Sequence, residues 1–235
     1  LIVLTILLVV GGYLGYSYYK NKNNTNIRTV TFLEGLNDAK APKRISNGSL
    51  PVSTIGNEYT ISFWIYISDY NYRYNDDKCI FYKGKLYSNS PLNNADQSPN
   101  NKYNQGNPGI WLLNRKNTLR VQLGLETNYE GDMCGPTERF GNHNSTMSSH
   151  CDVPHLPLQT WVYVNVALGS SSLDIYIDGE LKKSCSLIGH PVTNVDDLHV
   201  CQNGGCNGYL SNAKYTSAVM TINDIRSEYK KGPTI

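Results

Sequence analysis

The run Trp161-Val162-Tyr163-Val164-Asn165-Val166-Ala167-Leu168 constrains this chain more than any other segment. Val162, Val164, Val166 and Leu168 fall on one face and Trp161, Tyr163, Asn165 and Ala167 on the other, the period of two that marks a strand with two different faces. Shortly after it, Leu173-Asp174-Ile175-Tyr176-Ile177-Asp178-Gly179-Glu180-Leu181 carries Asp178-Gly179, a pair that tolerates the positive φ angles of a type I′ hairpin turn. Adjacent strands with a tight return predict antiparallel β architecture.

The wording of these segments, a Trp followed by alternating valines and then LDIYIDGEL, resembles the laminin G-like, or concanavalin A-like, jelly-roll superfamily. Tyr59-Thr60-Ile61-Ser62-Phe63-Trp64-Ile65-Tyr66-Ile67 is similar to its early core strand, with Tyr59, Ile61, Phe63, Ile65 and Ile67 on one face. Cys79 to Gly84, Gly109 to Leu113 and Thr118 to Leu125 resemble the strands that follow. Gly208 to Tyr215 resembles the closing strand, with a helix-like tail bearing Ile222, Ile225 and Tyr229 after it. The resemblance covers roughly residues 55–232, the length of one domain. It implies an all-β, antiparallel two-sheet jelly-roll sandwich, a fold that serves more often in recognition than in catalysis.

Residues 1–19 are apolar and carry no charge before Lys20, with Tyr13, Tyr16, Tyr18 and Tyr19 gathered at the C-terminal end. A membrane-spanning helix needs ~20 such residues, and tyrosines favour the lipid–water interface. No small-x-small cleavage pattern follows, so the expectation is a transmembrane helix and not a removed signal peptide. Residues 20–54 are polar, contain Pro42 and Pro51, and read as a stalk or lead-in.

Six cysteines, at 79, 134, 151, 185, 201 and 206, lie outside the apolar segment. An even count there fits disulfides in an oxidising compartment. Cys201 and Cys206 flank a short Gly-rich loop and are expected to close it. Cys134 and Cys151 bracket a polar insertion, and elimination then pairs Cys79 with Cys185, one of 15 connectivities that six cysteines allow. Three acceptor patterns, at Asn23, Asn47 and Asn144, offer sites for N-glycans if the domain lies outside the cytosol. A zinc reading of His150 and His155 with Cys201 and Cys206 is disfavoured, because the two pairs are far apart and in reversed order for a structural zinc site.

Net charge is only +2, and no basic stripe is interleaved with aromatics, which argues against nucleic-acid binding. Two long polar segments, residues 87–108 and 126–157, are the expected partner-contacting loops, since structureless insertions of this length are usually functional.

Glycan hydrolases of the resembling superfamily carry E-x-D-x-x-E on one strand. Here Glu130-Gly131-Asp132 lacks the third carboxylate, which leaves no acid–nucleophile pair flanking a glycosidic bond, and no enzyme is expected. The resemblance also raises Ca²⁺ binding, for which Asp76-Asp77 and Asp196-Asp197 are the candidate pairs, since hard cations want clustered oxygens. Trp64, Tyr66 and Tyr163 would stack on sugar rings if their faces were open. The expected function is a membrane-anchored, non-enzymatic recognition or structural module, such as a component of a virion or cell-surface assembly. Its globular part would face an extracellular, lumenal or virion compartment and bind protein partners. The alternative is a surface glycan-binding lectin, with or without Ca²⁺.

Overall fold

The structure, a computed structural model, describes residues 9–17, 27–53, 56–84, 106–126, 131–132 and 147–235. In chain order its strands are β1 (Thr29–Asp38), β2 (Lys43–Ile45), β3 (Tyr59–Asp69), β4 (Lys78–Lys83), β5 (Gly109–Leu112), β6 (Thr118–Glu126) and β7 (Gly131–Asp132). The second half adds β8 (Met147–Pro154), β9 (Trp161–Leu168), β10 (Ser172–Ile177), β11 (Glu180–Ser186), β12 (His190–Pro191), β13 (Leu198–Val200) and β14 (Asn207–Thr216). A C-terminal helix, Ile222–Lys231, follows.

These strands form two sheets. One is six-stranded in the order β1-β14-β3-β9-β10-β11. The other runs β2-β13-β4-β5-β6-β8-β7, with β12 pairing on β6 as its eighth strand. Every pairing is antiparallel except that of the two-residue β7 with β8. The first two strands sit in different sheets, β1 beside β14 and β2 beside β13, so the two ends of the chain run together through both layers, as in a jelly roll.

The alternation read from sequence explains how the layers meet. In β10 the side chains alternate, with Leu173, Ile175 and Ile177 buried against the facing sheet. From β3, Ile61, Phe63, Ile65 and Ile67 enter the same core. From the facing sheet come Ile80, Phe81, Ile110, Leu112, Leu119, Val121, Leu123 and Leu125. A register shift between Cys79 and Phe81 lets the consecutive residues Ile80 and Phe81 both turn inward, as a bulge does. Phe81 then meets Phe63 edge-on across the layers at 4.9 Å. Each such fully buried apolar side chain contributes about 1.5–3 kcal/mol relative to exposure.

The hairpin after β10 forms as its residues dictate. Ile177 pairs with Glu180, and Asp178 and Gly179 take φ of 53° and 79°. The C-terminal helix begins at Thr221, whose hydroxyl accepts the Asp224 N–H, and ends at Gly232 with φ 74°.

The cysteine pairing differs from expectation. Cys151 is bonded to Cys185, not to Cys134, and Cys185 is not bonded to Cys79. The bond runs from β8 in one sheet to β11, the edge of the other. It therefore depends on which strands face each other across the sandwich, which sequence spacing does not reveal. Cys201 and Cys206 are reduced and buried. Their loop is closed by backbone instead, with Cys201 N–H on Ile80 O, Cys206 N–H on Ala39 O and Gly205 N–H on Gln202 O. Gly205, at φ 46°, leaves no room for a side chain, because a Cβ would stand 2.0 Å from Ala39 O. Cys134 lies outside the described residues.

Of the expected anchor at residues 1–19, residues 9–17 are helical and exposed, and the remainder lies outside the described residues. Among the described residues no helix is long and apolar enough to cross a membrane.

Candidate ligand-binding face

The outer face of the six-stranded sheet carries an unusual row. Tyr209 on β14 pairs with Tyr66 on β3, and Tyr66 pairs with Trp161 on β9. Direct cross-strand partners share a face, so the three rings stand side by side, perpendicular to the strands. The Tyr66 ring lies 5.6 Å from that of Trp161 and 6.5 Å from that of Tyr209, tilted by 56° and 48°. Tyr209 is 42% exposed, and Tyr66 and Trp161 are half-buried. At the β1 end the row is closed by Asp38, the partner of Tyr209. Ser68, two residues beyond Tyr66, and Gln159, whose amide reaches Ser68 O at 3.5 Å, supply further polar groups at its edge.

Local backbone holds the row together. Gly208 lets β14 pass close to β3, since a Cβ there would stand 1.8 Å from Tyr66 O. Gln159, at φ 56°, donates its N–H to Ile67 O and so sets where β9 begins against β3.

The next row of the same face, Ser211, Trp64 and Tyr163, is covered by the C-terminal helix. Tyr229 stacks on Trp64 at 5.6 Å and 21°, and Ile225 is buried against Trp64 and Tyr163. Of the three aromatics singled out from sequence, then, Tyr66 alone keeps an accessible edge. Trp64 and Tyr163 are 6% and 2% exposed and serve to dock the helix. Tyr209 and Trp161 were the members the sequence reading missed. Each sits on the polar-facing side of a strand that the reading identified, and only the register places them beside Tyr66.

The remaining candidates are dispersed or already engaged. Asp197 accepts the Asn47 N–H and the Arg44 guanidinium, and these hydrogen bonds, in that order, hold its carboxyl below the ordinary range. Asp76 pairs with Arg73 at 3.2 Å and Asp77 accepts the Asn114 N–H at 2.7 Å. Asp76, Asp77 and Asp197 thus each hold a loop in place. His150 on β8 is separated from the Cys201–Cys206 loop after β13 by three intervening strands, so the zinc combination is not assembled. Among the described residues no three His, Cys, Asp or Glu side chains cluster. Asn47 is half-buried in a 3-10 turn, Asn47–Ser49. Asn23, Asn144, Glu130 and most of residues 87–108 and 127–146 lie outside the described residues. Asp132 forms the backbone pairing of β7 with β8.

No protein-family model matches the chain. No curated protein matches it either. Among solved structures it is similar to the receptor binding domain of botulinum neurotoxin C/D mosaic serotype, with a TM-score of 0.55, 12% identity, and coverage of 88% of this chain and 46% of that one. The binding domain of botulinum neurotoxin serotype G gives a TM-score of 0.52 at 12% identity, over 88% and 47% of the two chains. The serotype D ligand binding domain, solved in complex with N-acetylneuraminic acid, gives 0.54 at 11% identity, over 89% and 47%. The fold is a concanavalin A-like jelly roll. The chain spans about half the length of these structures, and identities this low speak to fold alone.

Proposed function

We propose that the domain is a non-enzymatic recognition module that binds glycans across the row Tyr209, Tyr66 and Trp161. The observation that carries this reading is the register itself, which aligns three partly exposed aromatic rings on adjacent strands. Tyr and Trp offer apolar faces to the C–H faces of a sugar while their polar ends stay wet. Polar groups at the edge then fix orientation through a few hydrogen bonds. Strand neighbours lie ~4.8 Å apart, so the row is long enough for an extended oligosaccharide lying across the strands. The row contains no Lys or Arg and ends at Asp38, which favours neutral over acidic chains.

The similarity to toxin receptor-binding and ligand-binding domains supports a binding role over a purely structural one. The Cys151–Cys185 bond supports an oxidising compartment. Tethering through residues 1–19 belongs to the same proposal and fits a surface lectin. A glycan array probed with the full chain tests the reading, repeated with chelator present. Saturable binding, insensitive to chelator and at least tenfold weaker in Tyr209→Ala and Trp161→Ala, is expected. Binding left unchanged by both substitutions would remove the row from the site.

A further inference from the structure

Exposed aliphatic side chains are not spread evenly over this domain. Among the described residues from Ile27 to Gly232, the exposed valines and isoleucines are Ile27, Val52, Ile188, Val195, Val219 and Ile222, at 37–83%. All six sit at one end of the sandwich. Arg28 N–H donates to Ser217 Oγ and Ser217 N–H to Arg28 O, which puts Ile27 beside the segment bearing Val219. A Cβ on Gly169, in the turn after β9, would stand 3.7 Å from the Val219 side chain. Leu187 N–H reaches Ser171 O in that turn and brings Ile188 with it. Met220 N–H donates to Thr60 at the start of β3, so the helix, with Ile222 in its first turn, begins here too. From the facing sheet, Tyr59 bonds Asn107 and Asn107 bonds Lys83, which in turn accepts from Asn194. Val195 lies on the short loop from Asn194 to Asp197, and Val52 on the segment from the Asn47–Ser49 turn to Asn57, whose amide reaches Pro191 O and Thr193. The opposite end differs in kind. It exposes Asp69, Asp76, Asn114, Arg115 and Lys116, with Tyr74 and Leu158 as the large apolar side chains of its loops. A scattered exposed valine needs no explanation, but a gathering at one end marks an interaction surface.

We infer that this apolar end rests on the surface of the lipid bilayer that takes up residues 1–19, with the strands standing away from it. The inference rests on the tethering reading given above and adds how the domain is oriented. Where the chain enters decides the occupant. The apolar segment ends eight residues before Ile27, at most ~28 Å of extended chain, and Ile27 is itself one of the six. A link that short, arriving at the apolar end, keeps that end turned to the same bilayer. Arg28, Glu58, Asp196, Asp224 and the Arg44–Asp197 pair leave no positive excess here, so the contact is apolar and does not depend on anionic headgroups. The posture also serves the aromatic row. Tyr66 lies six residues along β3 from Thr60, ~20 Å at ~3.3 Å per residue, so the row is held off the lipid and open to glycans from outside.

The test uses the full chain with labelled Ile, Val and Leu methyls in phosphatidylcholine nanodiscs, and NMR relaxation caused by a doxyl-labelled lipid. Side chains at the boundary of headgroups and acyl chains sit ~5–10 Å deep, so the six should relax about fivefold or more faster than Leu158. Added phosphatidylserine should not raise that excess. Val52→Asp combined with Val195→Asp changes the two most exposed of the six. It should leave the melting temperature unchanged and remove the excess at Ile27, Val219 and Ile222. An excess that survives the double variant overturns the inference. Val9, Val10 and Leu14 report on the tether separately. If they relax and the six do not, the end contact is overturned while the tether stands. If neither group relaxes, both are overturned; if the six relax alone, the contact stands and the tether falls. Shifts at the six that grow with protein concentration, with no relaxation from the lipid, would give this end to a second copy of the chain and overturn the inference.

Discussion

Replacing both Cys151 and Cys185 by Ala should expose how much of this sandwich depends on one covalent link. The bond joins residues 34 apart in sequence, with both cysteines fully buried, one on β8 and the other on β11. In the chain-entropy treatment, closing a loop of that length removes enough freedom from the unfolded chain to contribute ~3.8 kcal/mol at room temperature. The position amplifies the effect. β11 is an edge strand held in its sheet by β10 alone, and its exterior is mostly exposed and charged. Urea unfolding of the full chain, with and without the substitutions, measures the loss. The variant should be about 3–4 kcal/mol less stable and melt roughly 8–15 °C lower. Its denaturant slope should rise, because an uncrosslinked chain exposes more surface on unfolding. Equal midpoints together with equal slopes would show that the bond does no more than decorate an already rigid edge.

Three further outcomes test the site and its supports. Gly208→Ala should cost ~1–3 kcal/mol or more, by forcing β14 from the Tyr66 carbonyl, and should weaken glycan binding more than its melting shift alone explains. Burial pushes the Cys206 thiol up to about 12 and raises Cys201 further, so alkylating reagents at neutral pH should label neither in the native chain; rapid labelling of both, read by peptide mass, contradicts the placement of that loop. Burial of Glu228 opposes its ionisation, but hydrogen bonds from Lys214 and Lys231 prevail and hold its carboxyl below the ordinary value of 4.5. The stability it contributes is therefore complete above about pH 4.5 and lost as pH falls through the lower, folded-state value. Glu228→Gln should flatten that part of the unfolding-midpoint profile, and an unaltered profile contradicts the ion-pair geometry.

What could be read in the sequence was what depends on neighbours along the chain. The alternation in Trp161–Leu168, the positive-φ pair Asp178-Gly179 and the aliphatic face of β3 are local signals, and each became the element it announced. The disulfide was not legible, because Cys151 and Cys185 meet only after two sheets have stacked. The surroundings of Asp197 were hidden for a related reason. Asp197 looks solvated in sequence, yet its partners Arg44 and Asn47 arrive from some 150 residues away. The aromatic row is the same kind of object. Its three aromatics come from strands far apart in the chain, and nothing local to Trp161 or Tyr209 says that Tyr66 lies between them.

The outer face of the six-stranded sheet shows why the row is more than leftover apolar surface. A sheet whose second face is buried everywhere would carry aliphatic side chains on both faces, and β3 and β9 come close, with almost every residue buried. Half of that outer face is closed by Ile225 and Tyr229 of the C-terminal helix. The helix ends at Gly232, and the tail bonds Ser211 and Asn212 through Thr234. Beyond that stop the side chains do not revert to the charged and small polar residues that solvent favours. They continue as Tyr209, which is exposed, and Tyr66 and Trp161, which are half-buried, rings that water does not reward. Large rings in an in-register line that keep exposed edges are costly unless something covers them in use, and a glycan chain lying across the strands, as proposed above, has the shape to do it.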